Sequence, residues 1–305
     1  MELPGSYQAR PARLRAWIAL VIVWIVWGST YLGIRATVET IPPLLSAGTR
    51  FVVAGGLMVL IARVRLAGEW PGVTWRQLRS ACIVGGLLLT GGNGLVSVGE
   101  TRLASGLAAL IVATVPSWMV VMNSAATRTR PTRAVVVALV LGAIGVAVLM
   151  GGPGGELDLG AALLVLIAAV LWAAGTVYAR SAPLPRDLLL TTALEMLAGG
   201  ALLLVLAGAR GEFLRLSLAA ISLRSAIGLA WIIFAGAMVG FTAYIYANSQ
   251  LPSETVGTYA YVNPVVAVAL GALVDQEPVT FNVLLGGAII VSSVVIIVRW
   301  RARHH

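Results

Sequence analysis

The stretch Ala16–Val38, AWIALVIVWIVWGSTYLGIRATV, decides the fold. It exceeds the roughly 20 helical residues that cross a hydrocarbon core about 30 Å thick, and its one charged residue, Arg35, stands near its far end. Arg10, Arg13 and Arg15 before it suit a signal peptide, but the apolar run is too long for a signal-peptide core. It is read as a retained first span. Nine further runs of the same character follow: Leu44–Ala62, Leu78–Val98, Leu103–Met122, Ala134–Met150, Leu159–Tyr178, Leu188–Leu206, Ala226–Ala247, Thr255–Val274 and Val279–Val298. A membrane barrel would show weak period-two segments of about ten residues. These runs are longer and continuously apolar, so the expected fold is an all-α membrane protein with ten transmembrane helices.

Composition agrees. Of 305 residues, 59% are hydrophobic and 11% charged, with mean hydropathy +0.94, whereas a soluble domain is about one-quarter charged. All 21 basic residues are arginine, and they lie almost entirely in short gaps between runs, Arg50 inside the second run excepted, rather than in one cluster of the kind that binds nucleic acid. The net charge of +9 therefore describes topology. With the N-terminus inside, the inner segments hold Arg10, Arg13, Arg15, Arg63, Arg65, Arg76, Arg79, Arg128, Arg130, Arg133, Arg180, Arg186, Arg299, Arg301 and Arg303. The outer gaps hold Arg35, Arg102, Arg210, Arg215 and Arg224. Arginine is retained on the cytoplasmic side of short loops, so both termini, residues 1–15 and the tail 299–305, are expected there. Trp17, Trp70, Trp75 and Trp300 would then lie near the inner headgroups. A single cysteine, Cys82, forbids an internal disulfide. His304 and His305 are set aside.

An internal repeat organises the spans. Trp27 and Arg35 recur as Trp172 and Arg180, and Ala54-Gly55-Gly56 recurs as Ala198-Gly199-Gly200. Leu103, Ser105 and Pro116 recur at one offset as Leu251, Ser253 and Pro264. Two units are expected, 16–151 and 156–298. Five helices is an odd number, so the second unit would enter the membrane from the opposite side, which places a solute path at the interface between the halves.

The chain lacks a Gly-x-Ser-x-Gly elbow, a His-Glu-x-x-His helix and any lysine for a phosphate loop. No catalytic residue, metal site or cofactor is expected, and ATP hydrolysis is excluded. Ionisable groups inside a span are costly, and two qualify, Arg50 and Glu195. Arg50 is either an anchor for a carboxylate or phosphate or a ligand of backbone carbonyls. Glu195 is either a proton-coupling group or a snorkelling side chain bonded to a neighbour. Direct pairing of the two is not expected from their depths.

Neutral polar and aromatic residues outline a cavity. Trp24, Trp27 and Tyr31 share a face of the first helix, Trp172 and Thr176 are four apart in the sixth, and Phe241, Tyr244 and Asn248 line one side of the eighth. The ninth carries Thr258, Tyr261 and Asn263 before Pro264, and Asn93 lies in the third. A single aromatic stripe is ordinarily packing or lipid contact, but recurrence on several helices points to a shared interior. Aromatic faces take apolar or cationic groups and the asparagines both donate and accept, which suits an amphipathic or zwitterionic solute. Pro116 and Pro264, inside the fourth and ninth helices, are candidate hinges or fixed kinks. The glycines Gly91, Gly92, Gly94, Gly236 and Gly240 are read as helix packing.

Several segments in order along the chain resemble the drug/metabolite transporter superfamily in its ten-helix EamA branch. They are Trp27-Gly28-Ser29-Thr30-Tyr31 with Arg35; Pro42, Pro43 and Arg50-Phe51; Gly92-Asn93-Gly94 with Glu100; Ser105 to Ala109 leading to Pro116 and Trp118; Thr258 to Pro264; and Glu277 before Gly286 and Gly287. The resemblance implies a multi-pass protein of the bacterial inner membrane. It implies export of amino acids or related small metabolites by alternating access, with protons as a candidate coupling ion. The other activities it admits are export of drugs or cationic aromatic compounds and a facilitative, channel-like permease. The expected partners are a small-molecule solute and the lipid bilayer, with no nucleic acid.

Overall fold

In the computed structural model, the residues described are 10–66, 71–126, 128, 133–150, 158–251 and 253–304, and almost all are helical. Helices α1 (Arg10–Val38) and α2 (Pro43–Arg65) are joined by a tight turn, with Pro43 at the first helical position of α2, where a missing N–H costs nothing. Helix α3 spans Trp75–Gly99 and starts from a capping box between Thr74 and Gln77. Helix α4 runs as Ser105–Val112 and then Val115–Ala126, and α5 is Arg133–Met150. Helices α6 (Leu159–Ala179) and α7 (Leu188–Ala209) open on the carboxylates of Asp158 and Asp187, which accept from Ala161 N and Leu190 N. Gly211, at φ 69°, turns the chain into the single turn Glu212–Arg215. Helix α8 runs from Leu223 to Gln250, α9 comprises Ser253–Val256 and Tyr259–Val274, and α10 is Phe281–His304. Each apolar run of the sequence overlaps one of these helices, although Leu103 precedes α4, Val279 precedes α10 and the ninth run is interrupted at Gly257 and Thr258. Among the described residues, seven helices are long and apolar enough to cross a membrane, and Val136–Leu149, Tyr259–Val274 and Phe281–Ile296 are shorter apolar helices. The chain is thus an all-α, multi-pass membrane protein.

Two helices depart from α geometry at matching places. The segments Gly86–Asn93 of α3 and Ile232–Val239 of α8 are π-helical, eight residues each. A π segment widens the helix and re-aims the side chains that follow it, frequently at functional sites. Helix α4 breaks at Ala113 and Thr114, so Pro116 sits in the first turn of a new helical segment rather than inside a continuous helix. The expected interior proline at 116 is corrected accordingly: its missing donor is one that a helix start leaves unpaired anyway. Pro264 does lie inside its helix.

Close packing rests on small residues, as between membrane helices in general. A Cβ at Gly199 of α7 would stand 2.6 Å from Gly85 O of α3, and one at Gly200 would stand 2.8 Å from Val52 N of α2. On the opposite side of the molecule, Gly145 of α5 meets Gly286 of α10, where a Cβ on either would approach the other's carbonyl oxygen within 3.0 Å. Between α2 and α7, Phe51, Met58, Met196 and Leu203 are buried. The outer surface is apolar, with Ile18, Ile25, Leu60, Val205, Leu273 and Leu284 at least half exposed, as a lipid-facing belt requires. Ion pairs mark the two ends. Arg102 meets Asp158 at 3.0 Å, and Arg224 meets Glu39 at 3.4 Å and also Asp275, at one end; Arg65 meets Asp187 at the other.

Candidate solute-binding site

Trp27 stands at the centre of an aromatic group drawn from three helices. Its ring is stacked on Tyr244 with centroids 5.2 Å apart, and meets Phe241 and Tyr259 edge-on at 5.3 and 5.2 Å. Tyr244 and Tyr259 meet each other at 6.0 Å. Edge-on and offset contacts of this kind add about 0.5–1.5 kcal/mol each beyond burial. Trp27 Nε1 donates to Gly236 O at 3.2 Å, a carbonyl within the π segment of α8. One turn earlier, Trp24 Nε1 donates to Thr258 Oγ1 at 3.1 Å. In the amide orientation that satisfies its donors, Asn263 donates to the carbonyls of Trp24 and Tyr259, both at 3.2 Å.

A polar group adjoins these rings. Arg50 is buried on α2, its Nη1 donating to Asn93 Oδ1 at a long 3.5 Å and its Cζ 4.8 Å from the Phe51 ring centroid. Gly236 links the two groups: its carbonyl holds Trp27, and a Cβ on it would stand 3.4 Å from Arg50 Nη2. Tyr31 lies in the electrostatic reach of Tyr259 on one side and of Arg50 and Glu100 on the other. Trp172 Cε3 comes within 2.8 Å of where a Cβ on Gly92 would be, so that ring covers the π segment of α3 next to Asn93. Thr176 Oγ1 donates to Trp172 O of its own helix.

Of the residues read from sequence, Trp24, Trp27, Tyr244, Thr258 and Asn263 are brought together directly, and Tyr31, Asn93 and Arg50 form the adjoining group. Tyr261 is half-buried on α9 and, among the described residues, is not one of the rings that meet Trp27. Tyr259 takes that place. Residues 259 and 263 are four apart and share a helical face, whereas 261 points about 200° away from 259 at 3.6 residues per turn. The side chain of Asn248 lies outside the described residues. Glu195 is half-buried on α7, on the side that packs on α3, where a Cβ on Gly85 would stand 2.3 Å from its backbone carbonyl oxygen.

The sequence reading left Glu100 and Arg35 out of the site. Glu100 caps the C-terminus of α3 and is fully buried. Arg35 Nη1 donates to its backbone carbonyl. A cavity of about 350 Å³ lies beside it, lined by Val98, Thr101, Arg102, Arg210, Glu212 and Arg215 among others. Outside the helices, Asp158 is held below the ordinary carboxylate range by the Ala161 backbone N–H it accepts, with the Arg102 guanidinium adding to this.

Apolar helices enclosing an aromatic and guanidinium-lined interior suit a secondary transporter of small molecules that uses no ATP. Comparison with known proteins makes this specific: the chain matches the EamA-like transporter family over residues 14–151 and again over 159–299, and it belongs to that family. It is therefore a transporter and not an enzyme. It is 37% identical over 284 residues to the uncharacterized inner membrane transporter YedA of Escherichia coli, covering 92% of this chain and 89% of the relative. The uncharacterized transporter YvbV of Bacillus subtilis is 27% identical over 292 residues, covering 93% of this chain and 92% of its own. A solved crystal structure with 19% identity superposes with a TM-score of 0.62 over 94% of this chain and 96% of its own, so the fold is shared.

Proposed function

We propose that the chain is a ten-span carrier of the bacterial inner membrane, built as two inverted five-helix units, that exports amino acids or related zwitterionic metabolites by alternating access. The observation that carries this reading is the meeting of the Trp27 aromatic group with Arg50 in the interior. Rings offer an apolar or cationic face, and a guanidinium offers a fork for a carboxylate. A solute with an amine, a carboxylate and an apolar side chain answers to both. A permanently cationic drug would meet Arg50 unfavourably.

Several features support the inverted duplication. The family match is split into two parts of similar length. The two π segments sit at corresponding places in α3 and α8. Contacts come in exchanged pairs: α2 packs on α7 and α5 on α10, while α1 on α9 is mirrored by α6 on α4, and α3 on α6 by α8 on α1. Exchange of this sort follows when two copies interlock, and it provides two alternative packings of comparable energy. The arginine bias assigns the end with Arg65 and Asp187 to the cytoplasm, together with both termini, and the end with Glu100 to the outside. The name of the Escherichia coli relative agrees with an inner-membrane location.

The test is counterflow in proteoliposomes preloaded with a mixture of unlabelled amino acids, with labelled amino acids added outside at trace level. Saturable overshoot is expected. Trp27→Ala removes three ring contacts and should raise the half-saturating concentration about tenfold, equivalent to roughly 1.4 kcal/mol. Non-saturating flux would indicate a channel, and overshoot with cationic dyes alone would move the assignment to drug export.

A further inference from the structure

Among the described residues, the acidic groups at the proposed outer end have partners, with one exception. Glu277 accepts from Ser105 N at 2.6 Å and Gly106 N at 3.1 Å, at the start of α4. Glu212 accepts from Leu45 N at 2.8 Å near the start of α2. Asp158 pairs with Arg102, and Glu39 and Asp275 pair with Arg224. Glu100 is 0% exposed, and neither of its carboxyl oxygens has a hydrogen-bond partner among the described residues. Arg35 donates to the backbone of Glu100 rather than to its carboxyl.

A carboxylate closed off from solvent and given no donor by the protein is far more costly than the neutral acid. Charged and titratable groups face Glu100 from three sides: Tyr31 and Arg35 of α1, Arg50 of α2, and Glu277 from the α9–α10 connection. Helix α6 brings Ala161 and Val165 against the preceding Gly99. Arg50 has the complementary deficit, since its Nε is buried without an acceptor. Tyr31 is within electrostatic reach of Glu100 and Arg50 and also of Tyr259 of the aromatic group. The residues flanking Glu100, Val98 and Thr101 with Arg102, line the cavity at this end, so the acid lies just behind its wall.

We infer that Glu100 is the coupling site of the carrier, holding in turn a proton and the ammonium group of the solute, while Arg50 takes the solute's carboxylate. One zwitterion then satisfies both unmet groups. On solute binding, the carboxylic acid gives its proton to water on the side that is open, and the carboxylate formed pairs with the ammonium. A proton arriving from the other side reverses the step. Proton and amine exclude each other at one carboxyl, which makes the exchange one for one. The inference rests on the transport reading proposed above.

The test uses the full-length protein in proteoliposomes with the membrane potential clamped at zero and a labelled mixture of amino acids as probe. One pH unit is worth about 1.36 kcal/mol per proton, so one-for-one exchange turns a one-unit gradient into an approximately tenfold solute gradient. Wild type is expected to reach that ratio. Glu100→Gln is expected to collapse it to one, and Glu100→Asp, which keeps the acid, to transport with a displaced pH profile. A merely structural Glu100 would leave the Glu100→Asp profile unmoved. That result, or gradient-driven accumulation surviving in Glu100→Gln, or the loss appearing in Glu195→Gln instead, overturns the inference and leaves the transport reading standing. No flux in wild type overturns both.

Discussion

A methyl group at position 240 would stand 2.4 Å from Nε1 of Trp27, closer than any Cβ approaches a neighbour. Gly240, read from sequence as packing, thus sets the position of the central ring. Gly240→Ala is expected to displace Trp27, break its bond to Gly236 O and weaken solute binding about as much as Trp27→Ala does. In a double-mutant cycle the two changes should be strongly non-additive, because both act through one side chain. Additive losses in binding titrations of the single and double variants would mean that Gly240 acts elsewhere. The rings of Trp24, Trp27 and Tyr244 were legible because their spacing matches helical periodicity on two separate runs. Tyr259 was not, because a break at Gly257 and Thr258 resets the phase of α9, and a sequence pattern assumes an unbroken helix. Glu100 entered only as part of the family resemblance: it stands two residues beyond an apolar run, and only the packing of α1 and the α9–α10 connection over it reveals its burial.

Between elements, the decisive contacts are backbone to backbone. Gly85 of α3 and Gly199 of α7 leave so little room that a Cβ on either would come within 2.3–2.6 Å of a carbonyl oxygen of the other helix. Gly199→Ala should therefore cost about 1–3 kcal/mol by forcing the helices apart. Gly56, with nothing within 4 Å of its Cβ position, is the matched comparison, and Gly56→Ala should change stability by no more than about 0.5 kcal/mol. Thermal midpoints of the purified variants check the difference, and equal midpoints would show that α3 and α7 separate freely. The positions of the helices were legible in the sequence, since each apolar run is long and bounded by arginine, glycine or proline. The π segments were not. The stretch Gly86–Asn93 carries glycines that permit the wider turn without demanding it, and Ile232–Val239 is ordinary apolar sequence. Aromatic rings lie against both of them, Trp172 on Gly92 within the first and Trp27 on Gly240 just past the end of the second.

At the scale of the molecule, the proposed antisymmetric pair of five-helix units would explain why the aromatic group, Arg50 and Glu100 draw on helices from both parts of the chain rather than from one of them. Trp27, Arg50 and Glu100 come from α1, α2 and α3, and Tyr244 and Tyr259 from α8 and α9. Rocking one unit against the other would change which end of this interior is open without rebuilding either unit. The most direct measurement concerns equivalent connections in the two units. Single cysteines at Leu66 and Arg210, and at Arg102 and Gln250, in a Cys82→Ser background, are treated in intact cells with a membrane-impermeant thiol reagent. Positions 102 and 210 should label in intact cells, and 66 and 250 only after the membrane is opened. Labelling of both members of either pair from the same side would contradict the inverted duplication and, with it, the route proposed for the solute.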